Sequence, residues 1–307
     1  MSRNRQERIK RLFRFLRHPS FLLLLLDRRN IIRISDKRYL KCVFLDMMGK
    51  KLNLKNPKTF NEKLQWLKIH DRKPEYTKMV DKYEVKKYVA EKIGSEYVIP
   101  TYGVYDSFEQ IDFNKLPKQF VIKCTHDSGS VVICKDKSKL NIDQVREKIQ
   151  ESLKNNYYHI WREWPYKNVK PRIIVEKYLG SGNTMRDYKL FCFSGEPRIM
   201  YISDGSHTSK QKIAFFDMDY NQLNIKRSDY CDYSVLPHKP KTFEKMKKYA
   251  AILSKGIPHV RVDFYEIDGR LYFGELTFST GAGFIPFEDE KWDRELGNYI
   301  DLRFAKK

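Results

Sequence analysis

Residues 259–286, HVRVDFYEIDGRLYFGELTFSTGAGFIP, constrain the fold more than any other stretch of the chain. Apolar and polar residues alternate at its start, which is the pattern of a half-buried β-strand. Asp268-Gly269 then supplies a turn that tolerates positive φ, and residues 271–276 form a second β run. The stretch therefore predicts a β-hairpin that ends in a loop of small and polar residues.

Two acidic residues of this hairpin can face the same pocket. Asp263 and Glu275 lie six residues on either side of Gly269, so pairing through the turn brings them side by side. Two such carboxylates repel each other unless a cation lies between them, and hard oxygen ligands suit Mg²⁺ bound to phosphates. Arg261 lies on the same strand face and can hold a phosphate oxygen. The alternative is a pair of ordinary surface carboxylates, because one acidic pair across a hairpin is a weak signal.

The composition is that of a folded protein with two or three subdomains. Of the 307 residues, 41% are hydrophobic and 14% aromatic, which excludes a wholly disordered chain. The five cysteines are scattered without a CxxC pair, so neither a zinc site nor a disulfide framework is indicated and a reducing cytosol is favoured. Residues 21–26, the longest uncharged apolar run, are too few to span a bilayer.

The net charge of +21 is unevenly spread, since residues 1–41 hold thirteen Lys and Arg against three acidic residues and so contribute +10. Together with apolar residues at helical spacing, this predicts a basic amphipathic segment lying on an anionic membrane surface. We therefore expect a cytoplasmic protein, bound peripherally to the inner face of the plasma membrane. Two alternatives stay open. The apolar run packs on the protein's own core, or the segment is a nucleic-acid arm, which would not need six consecutive apolar residues.

Residues 42–115 are predicted to form a mainly helical domain. Thr59 and Glu62 form a capping box at the start of one helix, and a second amphipathic helix continues to Gly94. Asp81-Lys82 lies within the second helix, where we expect an exposed charged pair.

The next unit, residues 116–181, carries a lysine on a strand followed by a loop of small residues. Lys123 lies within the strand at 120–124, and loop 125–130 can turn backbone N–H groups toward an anion. This arrangement suits a nucleotide triphosphate, although the GKS/T sequence of a P-loop is absent. His126 in this loop is expected to bond its own backbone rather than to act in catalysis.

Residues 161–167, WREWPYK, form an aromatic and basic connector with two equally weighted interpretations. Either its tryptophans anchor a packed loop, or it is a lid in which Arg162 and Lys167 meet an anionic substrate. Beyond it, a strand runs into a hinge at 172–180 and another strand covers 186–193. Residues 182–307 are predicted to form a second α+β subdomain that ends in a helix.

The order of these elements resembles the ATP-grasp superfamily. IIVEKYLG and the hairpin are similar to the nucleotide half of D-alanine–D-alanine ligases. NPKTFNEKLQWLKIHDR and FVIKCTHDSGS extend the resemblance to TupA-like ATP-grasp proteins of teichuronopeptide and capsular-polysaccharide gene clusters. The resemblance implies an α+β fold in which two subdomains clasp a nucleotide, preceded by a mainly helical, basic region.

The resemblance also implies ATP and two Mg²⁺ ions as cofactors. Glu176 and the backbone that follows it would bind adenine, Asp187 ribose, and Lys123 and Lys189 the phosphates. The full set of residues implied to bind ATP is Lys123, Ser128, Gly129, Ser130, Glu176, Lys177, Tyr178, Leu179, Asp187 and Lys189.

Catalysis would fall to Arg261 and Lys189, which neutralise charge on the transferring phosphoryl group. The implied metal ligands are Asp263, Glu275 and Thr277; the family's usual E-x-N ends here in threonine, whose hydroxyl is a weaker ligand than an amide oxygen. Further residues are predicted to contact substrate: Arg162, Lys167, Lys210, Lys212, Ser279 and Gly281.

The implied reaction is ATP-dependent ligation of a carboxylate to an amine through an acylphosphate. We expect the carboxylate to belong to a uronic acid or other acidic unit of a bacterial surface polysaccharide, which can be lipid-linked. The amine would be an amino acid or small amine. A phosphotransferase acting on a glycan or lipid-linked sugar, and a non-catalytic scaffold of glycan assembly, are the alternatives, and nucleic acid is the least expected partner.

Overall fold

The computed structural model describes residues 23, 24, 26, 27, 31–180, 186–205 and 211–306. The amphipathic segment predicted for residues 1–41 lies largely outside these residues, and so does Lys210. The described part of that segment includes the start of helix α1 (Asp36–Met48), which continues past the predicted boundary at residue 41. Ser35 caps this helix, and Gly49 ends it with a φ of 68°.

Three further helices follow before the first strand. They are α2 (Phe60–His70), α3 (Glu75–Val80) and α4 (Glu84–Ile93). The capping box of Thr59 and Glu62 at the start of α2 is confirmed. The second predicted helix is broken at Asp81, whose Oδ1 accepts the backbone N–H groups of Tyr83 and Glu84 at the start of α4.

A small antiparallel sheet has the order β1-β4-β2-β3. Its strands are β1 (Thr101–Tyr105), β2 (Phe120–Cys124), β3 (Val132–Cys134) and β4 (Ile173–Lys177). Helix α5 (Ile142–Leu153) buries Val145 and Ile149 against one face, together with Phe120, Ile122 and Val175. Because side chains alternate along a strand, Lys123 and Glu176 lie on the opposite face. The sheet also takes in β1, which precedes the predicted boundary at residue 116.

The large sheet has the order β11-β10-β5-β6-β7-β8, and a short β9 pairs with β7 in parallel. Its longer strands are β5 (Asp187–Phe193), β6 (Glu196–Asp204), β7 (Lys212–Asp217), β10 (His259–Ile267) and β11 (Arg270–Thr277). The two short ones are β8 (Gln222–Leu223) and β9 (Cys231–Asp232). The predicted β10–β11 hairpin is confirmed, with Asp268 and Gly269 both at positive φ.

The two faces of the large sheet bury different cores. Leu190, Val260 and Val262 face helix α6 (Phe243–Leu253) in one core. On the other face, Phe191 and Phe193 pack with helix α2 and helix α7 (Glu290–Tyr299). Arg261, Asp263 and Lys189 alternate with the first set, so they lie on the same sheet face as α2.

Helix α2 also holds the backbone that follows the hairpin. The Asn61 amide bonds both the N–H and the C=O of Ile285, and Gln65 donates to the carbonyl of Gly283 at 2.7 Å. Lys68 Nζ donates to the carbonyls of Trp161 at 2.9 Å and Ala282 at 2.7 Å. The helical region is thus built into the large sheet, and one lysine joins the connector to the loop at 279–283.

Candidate functional site

Sheet register sets three charged side chains in one row across the large sheet. Asp263 on β10 pairs with Lys189 on β5 on one side and with Glu275 on β11 on the other. The predicted neighbouring of Asp263 and Glu275 is confirmed. Arg261, two residues earlier on β10, is opposite Thr277.

Asp263 is the centre of this row and is only 1% exposed. Arg261 binds it through a bidentate fork of two hydrogen bonds, from Nε to Oδ1 at 2.6 Å and from Nη2 to Oδ2 at 2.7 Å. Lys189 Nζ also donates to Oδ2, at 2.7 Å. Burial alone would raise the pKa of Asp263, but Arg261 and Lys189 outweigh it and hold the pKa below its ordinary value. The carboxylate is therefore ionised, and charge-assisted bonds of this length are strong.

Three side-chain oxygens converge next to this fork. Arg261 Nη2 lies 2.7 Å from Asp263 Oδ2, 3.1 Å from Glu275 Oε1 and 3.0 Å from Thr277 Oγ1. We call these three oxygens the oxygen cluster. Carboxylate and hydroxyl oxygens are the hard donors that Mg²⁺ prefers, so the residues suit a divalent ion. Among the described residues, no group of three His, Cys, Asp or Glu could hold a metal ion, and the third oxygen ligand here is a hydroxyl.

Lys189 and Asp187 extend the site along β5. Lys189 Nζ lies 3.4 Å from Asp187 Oδ1 as well as bonding Asp263. Burial would lower the pKa of Lys189, yet Asp263 and Asp187 raise it well above its ordinary value. Lys189 is therefore charged although it is buried between these two carboxylates. Lys212 begins β7, opposite Asp204 of β6.

On the small sheet, Glu176 lies between two lysines. Its Oε2 is 2.5 Å from Lys123 Nζ and its Oε1 is 2.5 Å from Lys86 Nζ on helix α4. Burial raises the pKa of Glu176, but the two lysines prevail and lower it below its ordinary value. The Lys177 N–H, one of the predicted adenine donors, is taken by the carbonyl of Pro100 at 2.9 Å. The backbone of half-buried Tyr178 and Leu179 follows directly.

The loop of small residues is built by internal hydrogen bonds. Ser130 Oγ accepts the Cys124 N–H at 2.8 Å and donates to Asp127 Oδ1 at 2.7 Å, so Ser130 shapes the loop. Ser128 and Gly129 are exposed at its tip, and Gly129 has a φ of 110°. His126 is buried, and its Nε2 lies at the carbonyls of Ser152 and Asn155. The expectation that His126 bonds its own loop is wrong, because the end of α5 packs against the ring.

The pair Asp81-Lys82 was expected to be exposed, and the structure corrects this. Asp81 is buried with its Oδ2 2.8 Å from Arg172 Nη2, and Lys82 Nζ donates to the Asp127 carbonyl. The corner between α3 and α4 packs onto the small sheet, which covers both side chains. Burial lowers the Lys82 pKa, Asp127 opposes this, and Lys123 and Glu275 contribute with opposite signs. Lys82 therefore lies close enough to Lys123 and Glu275 to interact with both.

Arg162 in the connector is buried and takes part in packing. It pairs with Asp27, lies 3.3 Å from Asp36 Oδ1, and its guanidinium stacks 4.0 Å from the centre of the Tyr39 ring. The packed-loop interpretation describes Arg162, since both of its terminal nitrogens bond within the protein, Nη1 to the carbonyl of His159 and Nη2 to Asp27. Lys167 is exposed beside the Tyr158 ring.

The loop at 279–283 carries the two remaining candidates for substrate contact. Ser279 is buried, whereas Gly281 is exposed with a φ of 56°. The carbonyl of Ala282, between them and α2, accepts from Lys68 and Gln65. The loop is therefore fixed from the helical side.

Glu163 is a site residue that sequence reasoning missed. Burial raises the pKa of its carboxyl to about 7, Lys68 opposes this rise, and Glu275 adds to it. Tyr157 bonds the same carboxyl. Its only sequence signal is a glutamate set between two tryptophans, which indicates burial without indicating a site.

The model of the TupA-like ATP-grasp family matches residues 62–301. The chain belongs to the TupA-like ATP-grasp family. The predicted α+β ATP-grasp fold is thereby confirmed, with Lys123 and Glu176 on its small sheet and Asp263 on its large sheet. No curated protein matches the chain.

Solved structures similar to this TupA-like chain include the D-alanine–D-alanine ligase of Bacillus anthracis, with 16% identity over 74% of this chain and 69% of that one at a TM-score of 0.42. The Helicobacter pylori enzyme has 15% identity over 79% and 69%, at 0.40. The ATP-grasp ligase PsnB, complexed with minimal precursor, has 12% identity over 80% and 67%, at 0.42. Among the helices that the structure describes, none is long and apolar enough to cross a membrane.

Proposed function

We propose that the protein is an ATP- and Mg²⁺-dependent ligase that joins a carboxylate to an amine. The observation that carries this proposal is the oxygen cluster, which lies beside Arg261 and Lys189 within a cleft that two further lysines approach from the small-sheet side. Phosphoryl transfer depends on such neutralisation of phosphate charge and on positioning. Membership of the TupA-like ATP-grasp family supports the same reaction class.

The chain's residues divide the work across the cleft. Glu176 and the backbone after it would bind the adenine, and Lys82, Lys123 and Lys189 the phosphates. Asp263, Glu275 and Thr277 would hold Mg²⁺, which supplies a Lewis acid for the phosphate oxygens. Arg261 would neutralise charge on the γ-phosphoryl group as it leaves.

Two bonds change in the proposed reaction. The γ-phosphoryl group passes from ATP to a carboxylate oxygen, giving ADP and an acylphosphate. The amine nitrogen then attacks the acyl carbon, phosphate leaves with the bonding electron pair, and the nitrogen loses a proton. Exclusion of water favours the amine over hydrolysis of the acylphosphate, and the buried surroundings of Asp263 and Glu163 support this.

The proposed acceptor is an acidic unit of a surface polysaccharide, such as a uronic acid, and the proposed amine is an amino acid or small amine. The net charge of +21 supports an anionic acceptor. The exposed Lys167 at the end of the connector supports the same class of acceptor. Attachment of residues 1–41 to an anionic membrane is part of the proposal, since it would bring the enzyme to a lipid-linked glycan.

An ADP-release screen that crosses uronic acids with amines, followed by mass spectrometry, tests the ligase function. We expect an amide product that needs both cosubstrates. Glu275→Gln should lower turnover about 100-fold because it weakens the oxygen cluster, whereas the exposed Glu147→Gln on α5 should leave it unchanged. A phosphorylated product formed without any amine would identify a phosphotransferase instead.

Sedimentation with lipid vesicles tests the membrane part separately. The full chain should bind anionic vesicles and not zwitterionic ones, and the triple change of Arg11, Arg14 and Arg17 to Gln should weaken binding. Equal sedimentation of the two proteins would reject the membrane role. The full chain is used because α1 starts at Asp36, and cutting after residue 41 would divide it.

A further inference from the structure

Arg261 uses the same oxygens that a divalent ion would need. Its Nη2 is within 3.1 Å of all three members of the oxygen cluster, and its Nε bonds the other oxygen of Asp263. Thr277 Oγ1 also donates to Glu275 Oε1 at 3.0 Å, which draws the cluster together around the guanidinium. Arg261 Nη2 thus occupies the point at which the three oxygens of the cluster converge.

Among the neighbouring cations that the structure describes, Lys189 also bonds the oxygen cluster, at Asp263 Oδ2, whereas Lys82 and Lys123 have partners outside it. Lys189 Nζ bonds Asp263 and lies 3.4 Å from Asp187, Lys123 pairs with Glu176, and Lys82 bonds the carbonyl of Asp127. Arg261 is therefore the cation that bridges Asp263, Glu275 and Thr277. Removing it would take the cation away from Glu275 Oε1 and Thr277 Oγ1 and leave Asp263 Oδ2 with Lys189 alone. Removing Lys82 would change the nearby charge and leave the cluster intact.

A guanidinium and a divalent ion cannot share these oxygens. Two positive charges about 3 Å apart in a buried site repel strongly, and an arginine does not lose its proton to relieve this. The side chain would have to leave when the ion arrives. It would then lose four hydrogen-bond acceptors on Asp263, Glu275 and Thr277. A phosphate group is the partner best matched to the paired N–H donors of its guanidinium.

We propose that Arg261 and a divalent cation exclude each other from the oxygen cluster, so that the ion binds tightly only when nucleotide phosphates give Arg261 another partner. The proposal rests on the proposed function for the identity of the nucleotide. Arg261 acts as an internal counter-ion before substrate binds and as a phosphate ligand afterwards. Binding of metal and of nucleotide is then strongly coupled, and the coupling passes through this one side chain.

Titration of Mn²⁺ followed by electron paramagnetic resonance measures the site without any turnover. In the absence of nucleotide, Arg261→Met should bind Mn²⁺ about tenfold or more tightly than the wild type, because the competing cation is gone. The matched control is Lys82→Met, which removes the same charge from the same cleft and should strengthen binding by less than about threefold. Adding Asp263→Asn to Arg261→Met should abolish the gain, which locates the ion at the cluster.

A non-hydrolysable ATP analogue supplies the second arm. It should strengthen Mn²⁺ binding far more in the wild type than in Arg261→Met, because the coupling depends on Arg261. If Arg261→Met does not fold, Arg261→Lys retains a charge without the fork and should show a partial gain. An Arg261→Met protein that folds but binds Mn²⁺ no better than the wild type, or a gain of equal size in Lys82→Met, would overturn the proposal.

The two proposals fail differently. A wild type that binds no nucleotide, with or without Mn²⁺, rejects the ATP-dependent function while leaving the exclusion of Mn²⁺ by Arg261 measurable. Normal ligase turnover combined with an unchanged Mn²⁺ affinity in Arg261→Met rejects only the exclusion.

Discussion

The two sheets each bury one carboxylate between two cations, and they differ in where the cations come from. On the small sheet, Glu176 meets Lys123 from the neighbouring strand and Lys86 from helix α4. On the large sheet, Asp263 takes both partners, Arg261 and Lys189, from β10 and β5. The first group ties a helix to a sheet, whereas the second is complete within the sheet.

The second difference between the two charged groups is their exposure to solvent. Glu275 lies beside Asp263 with its side chain 46% exposed, so the large-sheet group has a carboxylate open to a ligand. Glu176 has both oxygens engaged by lysines in a buried position. The Glu176 group, whose charges are paired and buried, stabilises the fold and positions helix α4. The Asp263 group retains an accessible carboxylate, Glu275, that can bind an ion.

The largest effect is expected from Asp263→Asn. It leaves Arg261 and Lys189 buried without their shared carboxylate, which should lower the free energy of unfolding by about 3–5 kcal/mol. Turnover should fall about 1,000-fold, because the groups that meet the phosphoryl lose their positions. Chemical denaturation and ADP release measure the two effects. A fall in turnover alone, with stability unchanged, would show that Asp263 does not organise the two cations.

Glu176→Gln is expected to cost about 3 kcal/mol of stability, since it leaves Lys86 and Lys123 facing each other without a charge between them. Acid should reveal the same group. The pKa of Glu176 is lowered in the folded protein, so its contribution is present above the unfolded pKa and is lost as pH falls through the folded one. Between pH 6 and about pH 3, the free energy of unfolding should fall less steeply with decreasing pH in Glu176→Gln than in the wild type. Identical pH dependence would contradict the ion pairing.

Glu163 should change the stability of the protein with pH in the opposite direction to Glu176. Its folded pKa is raised to about 7 from an ordinary value near 4.5, so the folded state binds more protons in that interval and stability should fall as pH rises through it. Glu163→Gln should remove about 2 kcal/mol of this loss. Thermal unfolding between about pH 5 and 8 measures it. The exposed Glu151→Gln on α5 is the control, and the same slope in both variants would refute the assignment.

The smallest expected effect distinguishes the roles of the two lysines that pair with Glu176. Lys86→Met removes bonds to Glu176 and to the carbonyl of Ile99, and should cost about 1 kcal/mol of stability while sparing most nucleotide affinity. Lys123→Met should instead weaken ATP binding more than adenosine binding, if it contacts phosphate. Calorimetry with ATP and adenosine compares them. If the two variants lost affinity for ATP and for adenosine to the same extent, Lys86 on the helix and Lys123 on the strand would not have different roles.

Strand chemistry could be predicted from the sequence because register is local. Alternation along β10 and a two-residue turn were enough to place Arg261, Asp263 and Glu275 together, and the structure confirms this. The same holds for Lys123 on β2.

Residues brought in by long-range packing could not be predicted in this way. Lys82 lies at the corner between α3 and α4, and Lys86 lies on α4. Their sequence pattern is that of a solvated face, and only docking against the small sheet covers them. Arg162 was open to two interpretations because its partners Asp27 and Asp36 lie more than a hundred residues away. Amphipathic periodicity identifies the buried face of a helix but not the charged partner that covers it.

Helix α2 has a consequence for protein engineering. Its Asn61, Gln65 and Lys68 bond the backbone of residues 282–285 and of Trp161. The chain after the hairpin thus takes its shape from residues more than two hundred positions upstream. A chimera that transplanted residues 116–307 onto another scaffold would lose these anchors, whereas one that also carried α2 would keep them.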